Sequence, residues 1–94
     1  TRPRSPIADS LEKVLARELP DTVRVNVLVD LARALWASNL QVSRKYATDA
    51  LTIANLIDYK KGRANALNTI GVTYYYQGWY DIALGYHKQA LEIR

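Results

Sequence analysis

The sequence contains no cysteine. Disulfides, thiolate metal sites and cysteine nucleophiles are thereby excluded, while the compartment stays open, because oxidising and reducing environments both tolerate the absence. Its only prolines are Pro3, Pro6 and Pro20, so nothing of that kind interrupts a helix from residue 21 onward. The longest apolar run falls far short of the roughly 20 residues a membrane-spanning helix needs. No segment alternates apolar and polar residues for long, which removes the main signal for a strand. The single histidine, His87, has no serine or cysteine placed by sequence as its nucleophile. Without strands there is no strand-linked phosphate loop, and the acidic residues form no metal-ligand pattern. An enzyme, a cofactor and a metal site are therefore not expected.

What is present suits one folded domain over 1–94. Hydrophobic residues make up 49% of the chain and charged ones 23%, close to soluble globular averages, so wholesale disorder is excluded. The net charge of +4 raises the question of nucleic acid, yet Arg17, Arg24, Arg33, Arg44, Lys45, Lys60, Lys61, Arg63 and Lys88 are scattered along the chain. Nucleic-acid binders gather such charges on a stripe. The chain starts at Thr1 without a signal-peptide pattern and is expected to be an excerpt of a longer protein.

Helical periodicity divides the chain into five helices. Ser5 and Pro6 read as an N-cap followed by proline at the first helical position, opening a helix over 6–19 with Ile7, Leu11, Val14, Leu15 and Leu19 on its apolar stripe. Asp21 is expected to cap a second helix carrying Val27, Leu28, Leu31, Ala32 and Leu35, ended by Ser38 and Asn39, the asparagine tolerating a left-handed conformation. A third runs over 42–56 with Tyr46, Ala47, Ala50, Leu51 and Ala54 inward. Asp58 is expected to cap a fourth over 59–77, with Leu67, Ile70, Gly71 and Tyr74 buried and Gly78 ending it. The fifth starts near Trp79 or Tyr80, with Asp81 in its first turn, and passes through Ala83, His87, Ala90 and Leu91. Connections this short make successive helices antiparallel neighbours.

The last two helices repeat the two before them. Gly71 follows Ala32 by 39 residues, and Ala90 follows Ala50 by 40. That agreement points to a stacked helix-pair repeat. The segment 64–94, ANALNTIGVTYYYQGWYDIALGYHKQALEIR, resembles the tetratricopeptide repeat (TPR) through Leu67, Ile70-Gly71, Tyr74, Gly78, Tyr80, Ala83, His87 and Ala90. It departs from the family pattern at Leu67, where tryptophan is commonest, at Ile70 and at His87. The earlier copy is weaker: Leu28, Leu31-Ala32, Leu35, Asn39, Ser43, Ala47 and Ala50, with one residue deleted at the corner.

The resemblance implies an all-α fold, a right-handed superhelix of antiparallel helix pairs. It contains about two repeats, a degenerate one over 21–57 and a well-matched one over 58–94, preceded by a packing helix over 6–19. Gly71 and Ala32 are expected where two helices cross, because a small side chain lets backbones approach. Tyr74 and Tyr80 are expected in the core around the corner. The long link LIDYKKGRANALN resembles those of TPR arrays in bacterial sensor proteins, implying a scaffolding or sensing segment of a signalling protein, cytoplasmic or periplasmic.

The same resemblance implies a concave groove that binds a peptide or partner domain, lined by Asn26, Val29, Arg33 and Trp36 from the second helix and by Asn65, Asn68, Val72, Tyr75 and Tyr76 from the fourth. Trp79 stands at its edge. Amides suit a peptide backbone, a guanidinium suits a carboxylate, and rings suit apolar side chains. Val29, Arg33, Thr69 and Val72 occupy the places where chaperone-binding members carry their carboxylate clamp, so chaperone tails are not the expected ligand. Two alternatives remain: self-association through an apolar flank of the last helix pair, and nucleic-acid binding through cations and tyrosines.

Overall fold

The computed structural model describes residues 6–93 as five helices: α1 (Pro6–Leu15), α2 (Asp21–Leu35), α3 (Leu40–Leu56), α4 (Lys60–Tyr76) and α5 (Tyr80–Ile93). No strand occurs among the described residues. The connections 36–39, 57–59 and 77–79 are too short to allow anything but antiparallel pairing of neighbours. α2 packs on α1, α3 and α4, and α4 packs on α3 and α5. α2 and α4 therefore form one layer, and α1, α3 and α5 the other. The principal extents of 33 × 31 × 14 Å match this two-layer slab, in which the hairpins lie side by side.

Alanine sets the spacing between the layers. Ala50, Ala54 and Ala66 share one cluster with Val25, Leu28 and Val29; Ala32, Ala47 and Ile70 form a second, and Ala64, Leu67 and Ala90 a third. These alanines are all within 1% of complete burial, so the backbones they carry come as near as a methyl group permits. At the α4–α5 crossing Gly71 removes even that methyl, and His87 and the Ala83 carbonyl fill the space. In the earlier pair Ser43 holds the place equivalent to Ala83, and its hydroxyl donates to the Ala32 carbonyl at 2.6 Å.

Two helices end alike. At the end of α4, Gly78 has φ +82°, the Trp79 N–H reaches the Tyr74 carbonyl (3.0 Å) and the Gly78 N–H reaches that of Tyr75 (2.9 Å). At the end of α3, Asp58 has φ +52°, with Tyr59 N–H bonded to the Ala54 carbonyl (2.8 Å) and Asp58 N–H to that of Asn55 (3.4 Å). Both are Schellman closures, in which a left-handed residue lets the chain satisfy the last carbonyls. Asp58 thus terminates α3 and does not cap α4, whose N-cap is Tyr59 without a side-chain bond.

Other helix ends also differ from expectation. α1 stops at Leu15, because Arg24 from α2 donates to the carbonyls of Leu15 (3.3 Å) and Arg17 (3.2 Å), and Pro20 disfavours helix at Leu19. Within α1, Leu11 and Leu15 pack on the core as expected, but Ile7 is 64% exposed and the buried position of that turn belongs to Ala8. The expected Ser5 cap lies outside the described residues. Asp21 is the first residue of α2 and the cap position belongs to Pro20, which leaves the carboxylate to favour the helix dipole. Asn39 has φ −150° and caps the start of α3, its Oδ1 accepting from the Val42 N–H (3.3 Å). It is therefore an N-cap and not a left-handed terminator.

Tyr80 is corrected as well. It is 61% exposed and leans on Tyr75, ring centroids 5.3 Å apart, because among the described residues no helix covers that side of α5. Tyr74 is half-buried. Arg44 of α3 stands 3.8 Å over its ring, donates from Nε to Thr73 Oγ1 (3.0 Å) and also donates to Gln77 Oε1. A cation expected to be solvated is thus a clasp between α3 and α4.

Candidate functional site

The face of the α2–α4 layer that points away from α3 is built by four-residue steps. Asn26 and Asp30 project one turn apart on α2, and Lys61 and Asn65 do so on α4. With Val29, Arg33 and Tyr59 they line an open depression of about 240 Å³. The Tyr59 hydroxyl donates to Asn26 Oδ1 at 3.0 Å, which occupies the amide oxygen and leaves the amide nitrogen as a donor. Val29 is 3% exposed and belongs to the core, so it supplies the floor and little contact area.

Next to this polar depression lies an aromatic end. Trp36, half-buried, meets Tyr76 edge-on across the two helices, with centroids 6.4 Å apart and planes at 60°. Tyr76 in turn touches Tyr75 (6.3 Å). The stretch YYYQGWYD therefore sends its side chains three ways. Tyr74 turns inward, stacked on Tyr86 at 5.6 Å with Trp79 at 6.2 Å; Tyr76 reaches across to α2; Tyr75 turns toward α5.

Of the expected groove residues, Asn26, Val29, Arg33 and Asn65 come together in the depression, and Trp36 and Tyr76 come together at the aromatic end. Asn68 faces α5 instead, its Oδ1 accepting from His87 Nδ1 at 3.0 Å. An acceptor oxygen there fixes the proton on Nδ1, so His87 is held as a packed, hydrogen-bonded ring. Val72 is half-buried, and Tyr75 belongs to the α5 side. Sequence reasoning missed Asp30, Lys61 and Tyr59. The first two were recoverable, since each stands four residues from an asparagine already on the face.

The cations do not gather. Arg24 closes α1, Arg44 clasps Tyr74, Arg63 faces Asp58 at 3.5 Å and Lys45 faces Asp49 at 3.4 Å. Each of these four is used singly, and Arg33 and Lys61 share the depression with Asp30. Among the described residues there is no cluster of acidic and imidazole groups able to hold a metal, and no helix is long and apolar enough to cross a membrane.

Antiparallel helix pairs repeated at 39 to 40 residues and crossing at small side chains define a helical-repeat protein. A family model for the tetratricopeptide repeat matches residues 23–94, and the chain belongs to that family. Its repeats are generally protein-interaction modules, and the family is typically a non-catalytic fold. No curated protein and no solved structure matches the chain.

Proposed function

We propose that the α2–α4 face binds an extended segment of a partner protein. The observation that carries this reading is the adjacency of a polar depression, with the Asn26 amide and the Arg33 and Lys61 cations, to the Trp36–Tyr76 pair. The amides suit a peptide backbone, the cations an acidic side chain, and the half-buried Trp36 with the exposed Tyr76 an apolar one. The segment 56–68 is the end of α3, a three-residue turn and the first half of α4 rather than a long link; its sequence resemblance to TPR arrays of bacterial sensor proteins is what supports reading this module as the sensing or scaffolding segment of a bacterial signalling protein.

A peptide array of defined ten-residue sequences identifies ligands without a known partner, and the strongest are then titrated in solution. Trp36→Ala and Tyr76→Ala are each expected to weaken binding by roughly tenfold or more, the loss of a hot-spot residue, with helicity unchanged. Equal affinities for the variants and the original chain would reject the face.

A further inference from the structure

α2 and α4 run in the same direction, because α3 turns back between them, so their shared face has two unlike ends. The Trp36–Tyr76 pair stands at the end where both helices finish. Arg33 lies three residues before Trp36 on α2, about 5 Å along the helix axis. Lys61 lies fifteen residues before Tyr76 on α4, about 22 Å along that axis. Both cations are exposed, and neither makes an ion pair or hydrogen bond among the described residues, whereas Arg24, Arg44 and Arg63 are held within the fold. Two uncommitted positive charges are thereby set at fixed steps from one aromatic pair.

We infer, resting on the reading of this face as a peptide site, that it selects an extended segment with a large apolar residue and acidic residues two and six positions from it. An extended chain advances about 3.3 Å per residue and sends alternate side chains to one side, so only even spacings reach the face together. Two residues cover about 7 Å and six about 20 Å, which match the steps to Arg33 and Lys61 within the reach of a glutamate. Between the two charges the Asn26 amide nitrogen, its oxygen taken by the Tyr59 hydroxyl, donates to a backbone carbonyl. Spacing sets no chain direction, so the pattern reads alike from either end. The carboxylate of Asp30 shares the depression and repels a continuous line of anions such as a phosphate backbone, while a peptide places a neutral residue beside it.

Titration of the 94-residue chain with four ten-residue peptides in a glycine and serine background tests this register. One carries phenylalanine at its second position and glutamate at its fourth and eighth; another is the same sequence reversed. Two isomers move both glutamates one position further from the phenylalanine, keeping composition and net charge. At least one peptide in register is expected to bind tenfold or more tighter than its isomer. Lys61→Glu is expected to lose that peptide and to accept one with lysine at the far acidic position, and Arg33→Glu to accept one with lysine at the near position. Isomers that bind alike, no binding by any of the four, or rescue by lysine at the wrong position overturns the inference, as does a single-stranded oligonucleotide that outcompetes every peptide. Should the isomers bind alike while Trp36→Ala and Tyr76→Ala still weaken peptides selected on the array, the register falls and the peptide face stands.

Discussion

The imidazole of His87 stands where any side chain on Gly71 would have to go: a Cβ there would lie 3.0 Å from His87 Cε1 and 3.1 Å from Nε2. The repeat-equivalent pair in the earlier hairpin is Ala32 and Ala47, both fully buried in one cluster. One crossing thus divides its volume evenly between two methyl groups, and the other places nearly all of it on one residue.

This compensation is measurable. Gly71→Ala is expected to destabilise by about 1 kcal/mol, since overpacking of roughly 1 to 3 kcal/mol is partly offset by alanine's better helix propensity. In a His87→Ala background the same change is expected to be neutral or stabilising, because it recreates the Ala32–Ala47 arrangement. Thermal unfolding of the four proteins in the double-mutant cycle gives the coupling. Gly71→Leu is expected to cost several kcal/mol in the original background, because a leucine there meets both His87 and the Ala83 carbonyl.

The two Schellman closures differ in the residue placed at positive φ, and only one is glycine. Asp58→Gly relieves a left-handed aspartate and loses only an exposed 3.5 Å pairing with Arg63, so a gain of about 0.5 to 1 kcal/mol is expected. Gly78→Ala has no neighbour within 4 Å to clash with, yet a loss of about 1 kcal/mol is expected from the backbone alone. Opposite signs in urea unfolding check both; equal signs remove the explanation.

Arg44 joins α3 to α4 by a ring contact and hydrogen bonds to Thr73 and Gln77. Arg44→Ala is expected to lower stability by about 1 to 2 kcal/mol. Arg44→Lys is expected to recover less than half of that, since a lysine keeps the charge but cannot form the planar fork that reaches ring and acceptors together. Full recovery by lysine would show that charge alone matters there.

Gly85 lies on the exposed face of α5, and a Cβ added to it would meet nothing within 4 Å. Gly85→Ala is expected to raise the melting temperature, corresponding to up to about 1 kcal/mol, because alanine restricts the unfolded chain and clashes with nothing. A calorimetric scan showing no change or a loss would mean that the helix does not extend through this position.

Where the sequence was informative, it was so through periodicity. The places of five helices, the 39- and 40-residue offsets, and the burial of Leu28, Leu31, Ala32, Ala47, Ala50, Leu67, Gly71, Ala83 and Ala90 all follow from which side of a helix a residue must occupy. Helix ends were less legible, because Asp58 and Asn39 each suit more than one end position. Neighbouring helices decided which they took.

The sequence by itself determined the helices and their pairing, since apolar spacing and short connections are local and leave one antiparallel solution. Only the tertiary structure decided the rest: that Tyr74, Tyr75 and Tyr76 point to three different partners, that Arg44 from the preceding helix lies over Tyr74, and that Gly62 is packed against Val25. The physical reason is that periodicity fixes a residue's angle around its own helix. What stands opposite that angle depends on how the helices cross, and the crossing is set by the sizes of side chains far apart in the chain.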